Sequence, residues 1–218
     1  MKELPKRTII ADSHEIVRDG IANRLTAECN VEVVGFAADG YSTIKQCRML
    51  SPDVLFMDLG LVNPRGMDTL PKLRKSHPDM KIVILSSEAR TSEAFMTLSL
   101  GATGYMPKQA KGEHFVNNLN TVCTGYACIP TDYLEGFAEC RRNLSRTGNL
   151  YGLSPREIEV LEECSKGIKN KEIATKLHIS VRTVETHRNA IYRKTSTNSA
   201  AELMIVAKQC SANQPSVM

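Results

Sequence analysis

Short apolar runs recur along the first half of the chain and end in side chains that can do chemistry. The four runs and their terminal residues are Thr8-Ile9-Ile10-Ala11 with Asp12, Val54-Leu55-Phe56-Met57 with Asp58, Ile82-Val83-Ile84-Leu85 with Ser86, and Gly104-Tyr105-Met106-Pro107 with Lys108. Helix-like segments separate the runs, so we predict parallel strands of one sheet buried on both faces. Because ligands bind at the carboxyl ends of such strands, two acids, a hydroxyl and an ammonium should meet there. A phosphorylated carboxylate with a divalent cation would need these groups.

Alternating strand and helix signals fill residues 8–125. Strands are predicted near 8–11, 31–36, 54–57, 82–86 and 103–106, and helices near 15–27, 40–50, 67–76, 91–100 and 112–124. Five strands alternating with five helices predict a doubly wound α/β domain, a (βα)5 flavodoxin-like fold. The strand signal then stops. Residues 126–150 are predicted to be a linker, with a short helix near 132–142 and a polar stretch at 143–149.

The remainder of the chain is predicted to be all-α, with four helices. Ser154-Pro155-Arg156-Glu157 has the pattern of a capping box with proline at the first helical position. Two short helices, at 171–177 and 181–194, are joined by only three residues, the last of which, Ser180, can cap the second helix. Such a connection is typical of a helix-turn-helix. A last helix at 199–211 carries an apolar stripe that could be core or a dimer contact.

The helix at 181–194 has a clear two-sided pattern. At about 100° per residue, Val181, Val184 and Ile191 fall on one side. The opposite arc consists of Arg182, Glu185, Thr186, Asn189 and Arg193. These donors and acceptors suit base edges and phosphates, although a solvated helix face is the alternative interpretation. Arg188 lies near the apolar side and is interpreted as a phosphate contact.

The charge distribution favours a polyanionic partner. The net charge is only +4, but residues 166–194 hold eight cations against two acids. A local excess of positive charge on a helical stretch attracts nucleic acid. Charge alone does not exclude an ordinary solvated surface, so this observation supports the helix-turn-helix prediction and does not replace it.

Length and composition limit the remaining possibilities. The 218 residues suit one large domain or two small ones. No apolar stretch reaches the length of a membrane span, and the basic start leads into a strand-like run, so we expect a cytoplasmic protein. Seven cysteines without a CxxC pair are expected to be reduced and mostly buried. A redox switch through Cys123 and Cys128 is the alternative.

Several motifs, in this order and spacing, resemble one family. They are Ala11-Asp-Ser-His-Glu-Ile-Val-Arg-Asp-Gly20, Asp58-Leu59, Gly101-Ala-Thr-Gly-Tyr-Met-Pro-Lys108, Leu153-Ser-Pro-Arg-Glu157, Asn170-Lys-Glu-Ile-Ala174 and Thr183-Val-Glu-Thr-His-Arg188. The chain resembles a two-component response regulator of the NarL/FixJ type, a receiver domain joined to a LuxR-type helix-turn-helix domain. The corresponding boundaries are 7–125 for the receiver, 126–150 for the linker and 151–214 for the DNA-binding domain.

The resemblance implies a role for each group at the sheet edge. Asp58 would accept phosphate from a sensor histidine kinase or a small phosphodonor, and Asp12, Asp58 and the backbone carbonyl of Gly60 would hold Mg²⁺. Ser86 would be the switch hydroxyl, Lys108 would pair with the phosphoryl group, and Tyr105 would be the aromatic residue that rotates on activation. Phosphoryl transfer depends on positioning and charge neutralisation, which a metal ion and a lysine supply.

Three departures from the family pattern weaken that expectation. Ser13 stands where the family usually has a second acid, so Mg²⁺ should bind weakly. The loop from Leu59 to Gly66 is about three residues longer than the family pattern that the chain resembles. Pro107 directly precedes Lys108 and restricts the approach of the lysine. A regulator that dimerises and binds DNA without phosphorylation is therefore the alternative.

The resulting prediction is a transcription regulator in which phosphorylation of Asp58 controls homodimerisation and binding to double-stranded DNA. Its candidate DNA contacts are Lys171, Arg182, Thr183, Glu185, Thr186, Arg188, Asn189, Arg193 and Lys194. An enzyme is disfavoured because the first strand is not followed by a Gly-rich phosphate loop and the sequence has no nucleophile elbow. A ligand-sensing LuxR protein is disfavoured because the N-terminal half resembles a receiver.

Overall fold

The structure, a computed structural model, describes residues 4–87, 90–109, 111–195, 197, 202–204, 206–207 and 210. Contacts within the chain divide it into two compact units, Met1–Leu134 and Glu135–Met218. Within the described ranges, no helix has the length and apolar character that crossing a bilayer requires.

The first unit is a parallel five-stranded sheet in the order β2-β1-β3-β4-β5. Its strands are β1 (Lys6–Ala11), β2 (Val31–Ala37), β3 (Val54–Asp58), β4 (Lys81–Ser86) and β5 (Gly104–Pro107). The intervening helices are α1 (Glu15–Glu28), α2 (Gly40–Leu50), α3 (Gly66–Ser76), α4 (Thr91–Ser99) and α5 (Gly112–Cys123). The predicted doubly wound (βα)5 fold is confirmed, and each element lies within two residues of its expected position.

Both faces of the central strands β3 and β4 are buried, as their nearly continuous apolar residues predict, whereas the edge strand β2 is mostly half-buried. Alternate strand residues pack against α1 and α5, where the rings of Phe56 and Phe115 stack with centroids 5.9 Å apart. The strand residues between them point to the opposite face of the sheet, where Ile9, Leu55 and Ile84 are fully buried. Packing from both sides leaves the strand ends as the place where polar side chains can be concentrated.

The first unit continues past residue 125, the predicted end of the receiver domain. The Tyr105 N–H donates to the carbonyl of Cys128 over 2.9 Å, which adds an isolated parallel bridge beside β5. Tyr133, in a short 3-10 turn at Thr131–Tyr133, packs its ring edge-on against Tyr105 at 5.7 Å. The periodicity of the sequence did not indicate these contacts, because a single bridge and one aromatic residue form no repeating pattern.

The second unit is helical in its described part, with α6 (Leu134–Thr147), α7 (Pro155–Ser165), α8 (Asn170–Lys176) and α9 (Val181–Thr195). Helix α6 runs further than predicted: residues 143–147, expected to be linker, are helical. Thr147 Oγ1 donates to the carbonyl of Asn143, and Gly148 follows at φ 71. Polar side chains on an exposed helix resemble a loop in sequence, which explains the difference.

The predicted caps are present in this unit. Ser154 Oγ accepts the Glu157 N–H, and Glu157 Oε2 accepts the Ser154 N–H at 2.7 Å, which completes the capping box. The predicted last helix, 199–211, lies largely outside the described residues. Of its apolar stripe, Leu203, Val206 and Ala207 are buried and therefore belong to the core, whereas Met204 is 45% exposed.

Candidate functional site

The polar residues at the strand ends of the first unit do meet. Asp12 directly follows β1, Asp58 ends β3 and Lys108 directly follows β5. The carboxyl groups are almost fully buried, with Asp12 0% and Asp58 4% exposed. Lys108 Nζ lies 2.6 Å from Asp12 Oδ2 and 3.0 Å from Asp58 Oδ1, so one ammonium bridges both acids. The sheet thus concentrates two negative charges around a single positive one.

The two oxygens of Asp12 have different surroundings. Oδ1 accepts the backbone N–H of His14 over 2.9 Å and lies 3.2 Å from His14 Nδ1. Among the described residues, the buried Oδ2 accepts no hydrogen bond, because its contact with Lys108 is an ion pair without hydrogen-bond geometry. A cation that used this oxygen would have to share it with the Lys108 ammonium or displace that ammonium.

The donor set around this oxygen suits Mg²⁺, which takes one or two carboxylates and completes its shell with water and phosphate oxygens. A Cβ atom added to Gly60 would lie 3.1 Å from Asp58 Oδ2, so the Gly60 backbone passes close to that carboxylate. Ser13 is exposed, and its hydroxyl lies 3.2 Å from His14 Nδ1. The described residues contain no cluster of three or more His, Cys, Asp or Glu side chains arranged for a metal. Asp12 and Asp58 are the two acids that the structure brings together at this edge of the sheet.

Ser86 and Tyr105 are joined through a residue that the sequence did not suggest. Glu93, in the first turn of α4, accepts the Ser86 hydroxyl over 3.0 Å and the Tyr105 hydroxyl over 3.3 Å, both at Oε2. Glu93 is 8% exposed, and Tyr105 is fully buried. Burial raises the pKa of the Tyr105 phenol, which keeps its proton available for donation. An acid in a first helical turn is usually solvated, so its sequence position gave no signal.

The long loop after Asp58 is anchored on the start of α2. The N–H groups of Gly40 and Tyr41 donate to the carbonyls of Val62 and Asn63, each over 2.8 Å. A Cβ at Gly40 would lie 2.1 Å from the carbonyl oxygen of Pro64, so only glycine permits this approach. The extra residues are thus accommodated beside the site, and Asp58 keeps its place at the strand end.

The second unit carries the predicted helix-turn-helix. Residues 177–180 connect α8 to α9, and Ser180 Oγ accepts the Thr183 N–H over 3.0 Å, which caps α9 as predicted. Val184 and Ile191 are fully buried, which fixes the rotation of α9. The polar arc predicted from the helical wheel is exposed in all its members, which are Arg182, Glu185, Thr186, Asn189 and Arg193.

Four other residues were candidate DNA contacts, and their surroundings differ. Lys171 is exposed on α8, and Thr183 is half-buried with its hydroxyl 2.8 Å from Ser180 Oγ. Arg188 donates to Asn170 Oδ1 over 2.8 Å, and Lys194 donates to Glu157 Oε2 over 2.7 Å. These last two side chains make contacts within the unit, where the sequence suggested contacts with phosphate.

The local cation excess is also smaller in the folded unit than in the sequence. Glu163, buried in α7, accepts Lys166 Nζ at 2.8 Å and Lys176 Nζ at 2.7 Å. These hydrogen bonds lower the pKa of the Glu163 carboxyl, so it stays ionised. Counting charges along the sequence missed Glu163 and Glu157, because both precede the cationic stretch and reach it only through the fold.

Two family profiles match the chain. The profile described as "Response regulator receiver domain" matches residues 8–120, just over half of the chain, and the one described as "Bacterial regulatory proteins, luxR family" matches residues 152–207. Both matches fall on the regions where the fold and the two candidate sites have been described.

Individual relatives extend over nearly the whole sequence. The oxygen regulatory protein NreC of Staphylococcus carnosus is 36% identical over 205 residues, which cover 91% of this chain and 94% of that protein. The response regulator protein VraR of Staphylococcus aureus is 29% identical over 204 residues, 93% of this chain and 96% of that protein. RcsB from Salmonella enterica serovar Typhimurium, solved bound to promoter P1flhDC with the phosphomimetic BeF3−, is 25% identical with a TM-score of 0.77, covering 94% and 98%.

Three findings agree. A receiver profile covers just over half of the chain, a LuxR-family profile covers the helix-turn-helix, and a relative of similar length is 36% identical. The chain belongs to the response regulators of the NarL/FixJ type, which join a receiver domain to a LuxR-family regulatory domain.

Proposed function

We propose that this chain is a sequence-specific transcription regulator in which phosphorylation of Asp58 controls homodimerisation and binding to double-stranded DNA. The observation that carries the proposal is the trio at the edge of a receiver-type sheet, in which the buried Asp58 and Asp12 share the half-buried Lys108. The exposed polar face of α9 supplies the matching output surface. The proposed domain limits are 7–125, 126–150 and 151–214, and the proposed location is the cytoplasm.

The phosphoacceptor chemistry follows from the surroundings of Asp58. A carboxylate is a weak nucleophile, so transfer depends on holding the donor in line and neutralising its charge. Lys108 is already in position to pair with phosphoryl oxygens, since its ammonium lies 3.0 Å from Asp58. The donor would be a sensor histidine kinase or a small phosphodonor. Mg²⁺, held by Asp12, Asp58 and the Gly60 carbonyl, would supply further charge neutralisation.

The output surface fits the major groove. Helix α9 has 15 residues and is about 22 Å long, with its exposed polar arc on one side. The RcsB relative was solved on promoter DNA, which supports DNA as the partner of the corresponding unit here. A homodimer would read two half-sites about one helical turn apart. The protein would regulate transcription by binding and would not turn over a substrate.

A second function is favoured by one specific observation. Lys108 already pairs with both acids, and Ser13 replaces the usual second acid, so the unmodified site has less negative charge to attract Mg²⁺ than the family pattern provides. Such a receiver could support dimerisation and DNA binding without phosphorylation. The two functions differ in whether modification changes DNA affinity.

The deciding experiment treats the full chain with acetyl phosphate and Mg²⁺. Intact-mass measurement should show the addition of one phosphoryl group, and titration of promoter DNA should show tighter binding after modification. Asp58→Asn should lose both effects, while Asp19→Asn, which removes an exposed acid on α1, should keep them. Unmodified protein that binds promoter DNA equally well, with no mass change, would favour the second function.

A further inference from the structure

Glu93 connects the two switch residues of the receiver through one carboxylate oxygen. Its Oε2 accepts the hydroxyl of Ser86 over 3.0 Å and that of Tyr105 over 3.3 Å. All three side chains are buried, with Ser86 3% and Glu93 8% exposed. A buried carboxyl group needs such donors, because a buried acceptor without a partner costs free energy. The contact therefore has a direct influence on where the Ser86 proton points.

The Ser86 hydroxyl has only one proton to donate. While that proton points to Glu93, the serine oxygen can act only as an acceptor in its other directions. A phosphoryl group on Asp58 carries acceptor oxygens only, so a hydrogen bond from Ser86 requires the same proton. Asp58 pairs in register with Leu85, the residue before Ser86, which places the two sites on adjacent strand ends. Glu93 and a phosphorylated Asp58 must compete for one hydroxyl.

The competition has a consequence for Tyr105 and α4. When Ser86 turns away, Glu93 Oε2 loses that hydroxyl as a donor, while the Tyr105 hydroxyl lies 3.3 Å from the same oxygen. Tyr105 is enclosed by Tyr133, whose ring lies edge-on at 5.7 Å, and its backbone is fixed by Cys128. Glu93 belongs to the first turn of α4, so a change in its contacts acts directly on that helix. A change at Asp58 would thereby reach a surface helix.

We propose that Glu93 is a positioning residue that holds the Ser86 hydroxyl away from the phosphoacceptor in the unmodified receiver. This inference rests on the proposed phosphorylation of Asp58. Glu93, which lies outside the trio of Asp12, Asp58 and Lys108, would then help to set how readily the receiver is activated. Weakening Glu93 as an acceptor should make the phosphorylated form easier to reach.

The test measures binding of beryllofluoride with Mg²⁺ to the full chain by calorimetry. Beryllofluoride on a carboxylate mimics a phosphoryl group and needs the same Ser86 proton. Glu93→Gln keeps the size of the side chain but removes the charge, so beryllofluoride should bind about tenfold more tightly. The matched control is Glu113→Gln, an exposed acid in the first turn of α5, which should bind like the native chain.

A double-mutant cycle separates positioning from a structural effect. In a Ser86→Ala background there is no hydroxyl to release, so Glu93→Gln should leave beryllofluoride affinity unchanged. Tyr105→Phe provides a second arm if Glu93→Gln folds poorly by thermal unfolding. With one donor lost, Glu93 should hold Ser86 more firmly, and beryllofluoride should bind several-fold more weakly.

The outcomes distinguish this inference from the proposed function. Native protein that binds beryllofluoride, together with a Glu93→Gln variant of equal or weaker affinity, overturns the role of Glu93 and leaves phosphorylation standing. An affinity gain that persists in the Ser86→Ala background overturns it too, because the effect would not act through the hydroxyl. Native protein that neither binds beryllofluoride nor accepts phosphate overturns both.

Discussion

Lys194 and Glu157 form an ion pair that joins the end of α9 to the first turn of α7. Lys194 Nζ donates to Glu157 Oε2 over 2.7 Å and also contacts the carbonyl of Gly152 at 3.1 Å. The Glu157 side chain is 8% exposed and that of Lys194 33%. Removing the lysine would leave a buried carboxylate without its cation, which is more costly than losing an exposed pair.

Lys194→Ala should therefore lower the free energy of unfolding of the second unit by about 1–2 kcal/mol, because Lys194 is still partly solvated. Lys171→Ala, at an exposed lysine on α8, should change it by less than about 0.5 kcal/mol. Hydrogen exchange of the α7 and α9 amides in the full chain measures the difference. Equal protection in the two variants would show that the ion pair contributes nothing.

The same carboxyl gives the second unit a pH dependence. Burial alone would raise the pKa of Glu157, but the hydrogen bonds from Lys194 and Ser154 outweigh it, and the pKa lies below its usual value. A lowered carboxyl pKa contributes stability that is complete above the unfolded value of about 4.3 and is lost as the pH falls through the folded value. We expect protection of α7 and α9 to fall below about pH 4. In Glu157→Gln the fall should be less steep, and an unchanged slope would contradict the assignment.

Whether a contact can be predicted from the sequence depends on whether a local pattern along the chain indicates it. The sheet was predictable because buried strands show as apolar runs, and their ends place Asp12, Asp58 and Lys108 at one edge. The partner of Lys194 was not predictable, since Glu157 is 37 positions away and belongs to a capping box that already explains it. Local patterns show which face of a helix is polar, but they do not show which charge another element neutralises.

Glu93 shows the same limit inside the receiver. Acids are favoured in the first turn of a helix by the helix dipole, so its presence there needed no further explanation. Its hydrogen bonds to Ser86 and Tyr105 exist only because β4, β5 and α4 converge. Asp12, Asp58 and Lys108 could be found from the strand ends, whereas the contact between Glu93 and Ser86 could not.

Restoring the missing acid should strengthen cation binding. Ser13 is exposed beside Asp12, and Asp12 Oδ2 accepts no hydrogen bond among the described residues. Ser13→Asp adds a charged oxygen ligand, so Mg²⁺ should bind more tightly and phosphorylation should need less of it. Ser13→Asn has the same shape without the charge and serves as the control. Calorimetric titration with Mg²⁺ that shows no gain for Ser13→Asp over Ser13→Asn would mean that the site uses other ligands.

The salt dependence of DNA binding should distinguish the exposed Lys171 from Lys194, which pairs with Glu157. Lys171→Ala should weaken binding to all sequences and flatten the slope of log affinity against log salt by about one unit, because one phosphate contact is lost. The double variant Lys194→Met with Glu157→Gln removes both charges of the internal pair. Its slope should match the native one. A flattened slope in the double variant would place Lys194 on phosphate after all.

The exposed arc of α9 should determine sequence preference. Asn189 and Glu185 are exposed on the face opposite the buried Val184, where their amide and carboxylate can reach base edges. Asn189→Ala or Glu185→Ala should therefore cost about 1–3 kcal/mol on the preferred site and much less on unrelated DNA, because base contacts specify whereas phosphate contacts only position. Glu172→Ala, an exposed acid on α8, is the matched control and should keep the native preference. Gel-shift titrations on specific and unrelated duplexes provide both affinities. If the α9 variants keep the native ratio between the two duplexes, sequence is read by a different surface.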